Sequence, residues 1–130
     1  ELEGKLDSLS YRVPTEIVSI IDITATLTRD TSRDECIELF EKYARGDLNG
    51  IVQCDYGAWG HQRASIDYLG TEFSAILQMR HLTVSHGRQL GLTLMHDNEV
   101  AYCCRVLDVL GVIDRVKAAS KLKLVEPLRA

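Results

Sequence analysis

The 130-residue chain carries 15 Lys and Arg against 19 Asp and Glu, and 45% of its side chains are hydrophobic. That suffices for one domain burying roughly two-thirds of its unfolded surface, and is too little for two. A net charge of −4 with both signs interspersed excludes a nucleic-acid or anionic-membrane binder. The lack of a long apolar run excludes a membrane-spanning helix, and the apolar content excludes disorder.

The chain opens on Glu1, without a leader of basic start and apolar core, so a truncation or processing point is expected there. Four irregularly spaced cysteines (Cys36, Cys54, Cys103, Cys104) suit a reducing compartment. With no Cys-x-x-Cys, they suggest neither a disulfide framework nor a zinc site.

In chain order, residues 8–13 and 17–27 read as two strands that pair antiparallel around a turn at Pro14-Thr15, since proline cannot donate to a ladder. In the second strand Ile17, Ser19, Ile21, Ile23, Ala25 and Leu27 alternate with Val18, Ile20, Asp22, Thr24 and Thr26. Period two rich in isoleucine predicts a strand whose first half is buried on both sides. Ser32-Arg33-Asp34-Glu35 is a capping box. It opens a helix with Cys36, Leu39, Phe40, Tyr43 and Ala44 on one face and Gly46 at the C′ position. Residues 50–55 read as a short strand, 57–60 as a loop, and 64–69 as weakly alternating. From Phe73 to Met95 the apolar alternation is broken by Ser85-His86-Gly87-Arg88, which predicts a hairpin turning near Gly87. A last amphipathic helix runs from Glu99 to Ala119, with Tyr102, Val106, Val109, Leu110, Ile113 and Val116 on one stripe. A basic tail, 120–130, follows. The order predicts an α+β fold: a mostly antiparallel sheet, one covering helix and a long C-terminal helix.

Two segments carry a family resemblance. Near the start, Gly4-Lys5-Leu6 precedes Tyr11-Arg12-Val13-Pro14-Thr15 and Val18-Ser19-Ile20-Ile21-Asp22-Ile23-Thr24. Near the end, Asp97-Asn98-Glu99 precedes Tyr102 and Arg105-Val106-Leu107-Asp108. Both resemble the C-terminal part of the catalytic domain of the glyceraldehyde-3-phosphate dehydrogenase family, in order and spacing, over residues 2–119. The resemblance implies a portion of an NAD-dependent, phosphorylating, glycolytic oxidoreductase that acts as a cytoplasmic oligomer (an organelle if a transit peptide is removed). It implies that Arg12 binds substrate phosphate or inorganic phosphate, a task suited to a planar, permanently charged guanidinium. It further implies that Asn98 orients the nicotinamide carboxamide of NAD, donor to acceptor, with Glu99 and Tyr102 beside it.

The departures matter equally. These 130 residues contain no Gly-x-Gly-x-x-Gly turn and no Ser-Cys-Thr-Thr-Asn nucleophile segment. The family's aromatic before Asp-Asn-Glu is His96, a following glycine is Ala101, and a Ser-Asn pair is Cys103-Cys104. The chain alone is therefore expected to be inactive, with no catalytic residue assigned within it. The last helix needs a partner, either an N-terminal dinucleotide-binding portion or another subunit of a homo-oligomer or larger complex. The alternative function is a non-catalytic, dehydrogenase-like structural or interaction subunit.

Plainer roles compete for each residue. Arg12 could be a surface arginine, Asn98 the N-cap of the last helix, and Tyr102 core packing on the apolar stripe. His61, His81, His86 and His96 fit no zinc spacing and read as solvated loop residues, free cysteines read as small hydrophobes, and Trp59 reads as an exposed patch.

Overall fold

The computed structural model describes residues 3–14 and 18–125, with the side chains of 118–125 excepted. Its elements are β1 (Ser19–Thr26), α1 (Arg33–Arg45), β2 (Val52–Asp55), a 3-10 turn at Ser65–Tyr68, β3 (Ala75–Gln78), β4 (Thr83–Ser85), β5 (Gln89–His96) and α2 (Val100–Val125). The strands form one sheet in the order β1-β5-β3-β2, with β4 also paired to β5. Every pairing is antiparallel except β2–β3, which is parallel. The α+β architecture and mostly antiparallel sheet are those read from the sequence.

α1 begins where its caps dictate. The Ser32 hydroxyl accepts from Glu35 N at 3.1 Å, and the Glu35 carboxylate accepts from Ser32 N at 3.3 Å, so two orphan helix donors are satisfied reciprocally. Ser32→Ala should lower stability by about 1 kcal/mol, read as a shift of the thermal unfolding midpoint. A second clamp holds the same end. The Arg33 guanidinium donates to the carbonyls of Leu82 (2.9 Å) and Met79 (3.0 Å), tying the helix to the β3–β4 connection. Gly46 departs from the expected left-handed C′: it is the C-cap, with φ −106°. The buried stripe is Cys36, Ile37 and Phe40, while Leu39 and Tyr43 face outward.

Alternation splits the sheet into two apolar layers. On one face, Leu77, Leu92 and Leu94 pack with Met79, Leu82 and Cys36, under α1. On the other, Ile76 and Met95 pack with Val18, Tyr68 and Phe73, so the 3-10 segment covers this side. The hairpin turn falls as predicted: His86 and Gly87, at φ 50° and 69°, supply the two positive dihedrals that match strand twist.

Three expectations are corrected. Residues 8–13 form no strand, and β1 pairs with β5 instead, Ile21 opposite Leu94 and Ile23 opposite Leu92. The Pro14-Thr15 turn is only half testable, because Thr15 lies outside the described residues. The first half of β1 is exposed, not buried on both sides: Ile20, Ile21 and Ile23 all face solvent, since β1 is the last strand and, among the described residues, no layer extends over it. α2 continues six residues past Ala119, to Val125.

Candidate functional site

The start of α2 is built with care. Asp97, 1% exposed, follows β5 directly. Its Oδ1 accepts from the backbone N–H of Glu99 (2.9 Å) and Val100 (3.0 Å), and its Oδ2 from Gly70 N–H (2.7 Å). The residue capping the helix is therefore Asp97, not Asn98. Aspartate serves as an N-cap as well as asparagine does, so the motif alone could not choose between them. Burial would raise the Asp97 carboxyl, but the three N–H donors and neighbouring His96 outweigh it and hold the pKa below its usual value.

Relieved of capping, Asn98 is exposed in the turn before α2, beside exposed Glu99. Tyr102 follows in the first helical turn and is also exposed, which overturns its reading as core packing. Ala101, in contrast, is fully buried and seats the helix on the domain. Arg105 adds a second tether, donating to Gly50 O at 3.3 Å and pairing with Asp108 at 3.0 Å. Asn98, Glu99 and Tyr102 thus share one helix start whose backbone is fixed from both sides.

Arg12 stands elsewhere, in an exposed irregular run with Leu9, Tyr11 and Val13 also exposed. Among the described residues, no hydrogen bond or ion pair joins Arg12 to Asn98, Glu99 or Tyr102. An amide and a guanidinium are the right chemistry for a carboxamide and a phosphate. The structure fixes the backbone of the first and leaves the second on the surface.

A buried polar network braces the same face of the sheet. The Tyr68 hydroxyl donates to Asp55 and lies 3.0 Å from Gln78 Nε2, while Asp55 Oδ1 also accepts from Gly57 N–H at 3.0 Å. Burial and the adjacent carboxylate push the Tyr68 phenol up to about 12, so it stays a donor. The 3-10 segment is therefore held twice at its C-terminal end, by Tyr68 on Asp55 and by Gly70 on Asp97. Sequence reading missed this network, whose only sign was weak alternation over 64–69.

The remaining candidates have ordinary placements. Cys36 is buried in the core. Burial, then Glu41, raises the Cys54 thiol, the opposite of what a nucleophile requires. His61, His81 and His86 are exposed, whereas His96 is half-buried with its Nδ1 unbonded. Among the described residues no group of three His, Cys, Asp or Glu could hold a metal, and no helix is long and apolar enough to cross a membrane.

Comparison with known proteins meets this geometry. Residues 1–98 match the family described as glyceraldehyde 3-phosphate dehydrogenase, C-terminal domain. That match includes Arg12 and Asn98 and stops before Glu99 and Tyr102. Glyceraldehyde-3-phosphate dehydrogenase of Chlamydia pneumoniae is 33% identical over 115 residues, covering 88% of this chain and 33% of the relative. Glyceraldehyde-3-phosphate dehydrogenase 3 of Saccharomyces cerevisiae is 35% identical over 115 residues, covering 85% and 32%. Glyceraldehyde-3-phosphate dehydrogenase 2 of Staphylococcus aureus is 32% identical over 109 residues, covering 84% and 30%. The α+β fold is thus that of a dehydrogenase C-terminal domain, an oxidoreductase part. The chain belongs to the glyceraldehyde-3-phosphate dehydrogenase family, and it spans about a third of the length of the curated relatives it matches.

Proposed function

We propose that this chain supplies the C-terminal catalytic-domain portion of an NAD-dependent, phosphorylating glyceraldehyde-3-phosphate dehydrogenase of cytoplasmic glycolysis. The observation that carries the reading is the start of α2, where Asp97 takes the cap and leaves the Asn98 amide exposed. A carboxamide needs one donor and one acceptor in a fixed plane, and a side-chain amide on a fixed backbone offers both. In this reading Asn98 orients the nicotinamide, with Glu99 and Tyr102 beside it, and Arg12 holds the phosphate. NAD, when bound, supplies the hydride acceptor. No Ser-Cys-Thr-Thr-Asn segment stands in these 130 residues, so the nucleophile comes from another portion or subunit. The apolar stripe of α2 is where such a portion docks: Tyr102, Val106, Val109, Leu110 and Ile113 are 42–64% exposed.

The test is to assay the chain alone, then together with a dinucleotide-binding portion of a relative. Alone, the chain should reduce no NAD. The pair should turn over, and Arg12→Ala should raise the KM for phosphate or triose phosphate about 10- to 100-fold, the loss of a charge-assisted contact. Turnover by the chain alone would refute the expectation of inactivity. A stable pair without turnover would establish the second reading, a non-catalytic structural subunit. That reading is favoured by His96, Ala101 and Cys103-Cys104 at positions where the family pattern differs, and by the breadth of exposed apolar surface on α2 and β1.

A further inference from the structure

Two asparagines stand in the chain, and the backbone treats the amides that follow them differently. Both Asn49 and Asn98 are exposed. The N–H after Asn98, that of Glu99, donates to buried Asp97 Oδ1 at 2.9 Å. The N–H after Asn49, that of Gly50, donates to nothing among the described residues, and the Asn49 carbonyl in the same peptide plane accepts from nothing. The planes on either side are fixed. Before it, Asn49 N–H donates to Gly46 O at 3.0 Å, and Leu48 O accepts from Ile51 and Val52 N–H, each at 2.9 Å. After it, Gly50 O accepts from Arg105 Nη1 at 3.3 Å, the bond that tethers α2.

Asn49 and Gly50 are thus the central residues of a turn closed by Ile51 N–H on Leu48 O, and Gly50, at φ 75°, supplies the positive dihedral of the type II pattern. A central plane without bonds of its own can rotate while the turn stays closed. Gly50 puts no side chain in the way, and even a Cβ there would meet nothing within 4 Å. Gly50 N and Asn49 Cγ are separated by the three bonded atoms that a five-membered ring needs. The exposed Asn49 amide therefore has an unbonded, unshielded main-chain nitrogen within ring-closing reach, in a turn open to solvent. At Asn98 the corresponding nitrogen is held by Asp97 and carries a glutamate side chain.

We propose that Asn49-Gly50 is a self-modification site, where spontaneous succinimide formation converts Asn49 to an isoaspartyl link and loosens the tether of α2. Gly50 N gives its proton to hydroxide and attacks Asn49 Cγ. The new N–Cγ bond closes the ring, and the Cγ–Nδ2 bond breaks with release of ammonia. Water then opens the ring. Breaking the N–Cγ bond leaves an ordinary aspartate at position 49, whereas breaking the bond from N to the main-chain carbonyl carbon leaves the chain running through Cβ and Cγ. Water is the only co-reactant, and nothing is oxidised or reduced. The isoaspartyl product carries one extra methylene in the main chain, so the Gly50 carbonyl shifts from Arg105. Ile51 O, which accepts from Ser74 N–H (2.8 Å) and Ala75 N–H (3.2 Å), keeps the displacement out of β3. The Asp97 cap and buried Ala101 still hold the first turn of α2, so the effect falls around Arg105.

The test ages the full chain at neutral pH in heavy-oxygen water, then maps its tryptic fragments by mass. Fragment 46–63, which carries Asn49, should gain three mass units as one amide NH2 is replaced by one heavy-oxygen OH, while fragment 89–105, which carries Asn98, should gain none. A methyltransferase selective for isoaspartyl carboxylates should label the aged chain, and ageing should be faster at higher pH. Amide hydrogen exchange from Cys104 to Asp108 should quicken about three- to tenfold in the aged chain, with β3 unchanged. Asn49→Gln, whose side chain would have to close a six-membered ring, should show neither the mass gain nor the faster exchange. An unchanged far-ultraviolet dichroism spectrum confirms that this variant folds. No gain in fragment 46–63 overturns the proposal, as does an equal gain in fragment 89–105 or a gain without methyl labelling. Isoaspartate at position 49 with unaltered exchange in α2 also overturns it, by severing the modification from the tether.

Discussion

Asp97→Ala should cost about 3 kcal/mol of folding stability, one of the two largest single-residue effects expected in this chain. Two of the three N–H groups that Asp97 accepts begin α2, and losing such a cap costs about 1–2 kcal/mol because water can partly replace it. The third, Gly70 N–H, belongs to the segment covering the second apolar layer, and leaving it without an acceptor costs about 1–3 kcal/mol more. Denaturant titration should show a lower midpoint with an unchanged slope. The pH dependence follows from the direction of the shift. The folded pKa of Asp97 is depressed, so the unfolded state takes up the proton first as pH falls. The contribution is complete above about pH 5, where an unfolded aspartate is ionised, and is lost as pH falls through the depressed folded value. Asp97→Asn, which cannot titrate, should flatten that acid limb at a smaller cost.

Leu82→Ala should be as damaging, at about 3 kcal/mol, because Leu82 is 1% exposed in the layer beneath α1. Its carbonyl is also one of the two that hold Arg33, so any relaxation into the cavity loosens the clamp on the helix. Leu110→Ala makes the informative contrast. Leu110 is 55% exposed on α2, and the same truncation should change the stability of the chain alone by less than about 0.5 kcal/mol. If another portion or subunit covers the stripe, the substitution should instead weaken that assembly by about 1–3 kcal/mol, readable as a change in dissociation constant. Equal effects of Leu110→Ala with and without the partner would show that the stripe is not the covered face.

How far the sequence could be read depended on the range of each interaction. α1 was legible down to its first residue because Ser32 and Glu35 cap it with atoms three positions apart. The β4–β5 hairpin was legible because His86-Gly87 states its own turn chemistry. The partner of β1 was not. The run before Pro14 offered a local strand, whereas the true partner β5 is distant in sequence, pairing Thr26 with Gln89 and Ser19 with His96. Burial of β1 was misread for a related reason, since isoleucine alternation describes a strand fit for covering and says nothing about whether this chain provides the cover. At the candidate site, the motif around Asn98 was visible, but the division of labour between Asp97 and Asn98 was not. It is decided by Gly70, which only the fold brings to the carboxylate.

The parallel pairing of β2 with β3 forces the chain through a long crossover, residues 56–74, before it can return to the sheet. That crossover has two unequal halves. From Ser65 to Gly70 it is anchored to Asp55 and Asp97, and its Tyr68 side chain forms part of the interior. From Tyr56 to Ala64 it leaves the sheet and comes back with its own internal bonds. Lengthening a closed loop costs only about 0.6 kcal/mol per doubling, so the detour of this half adds little to the cost of folding. The crossover thus carries a firmly held turn away from the body of the sheet, with Trp59 at its apex.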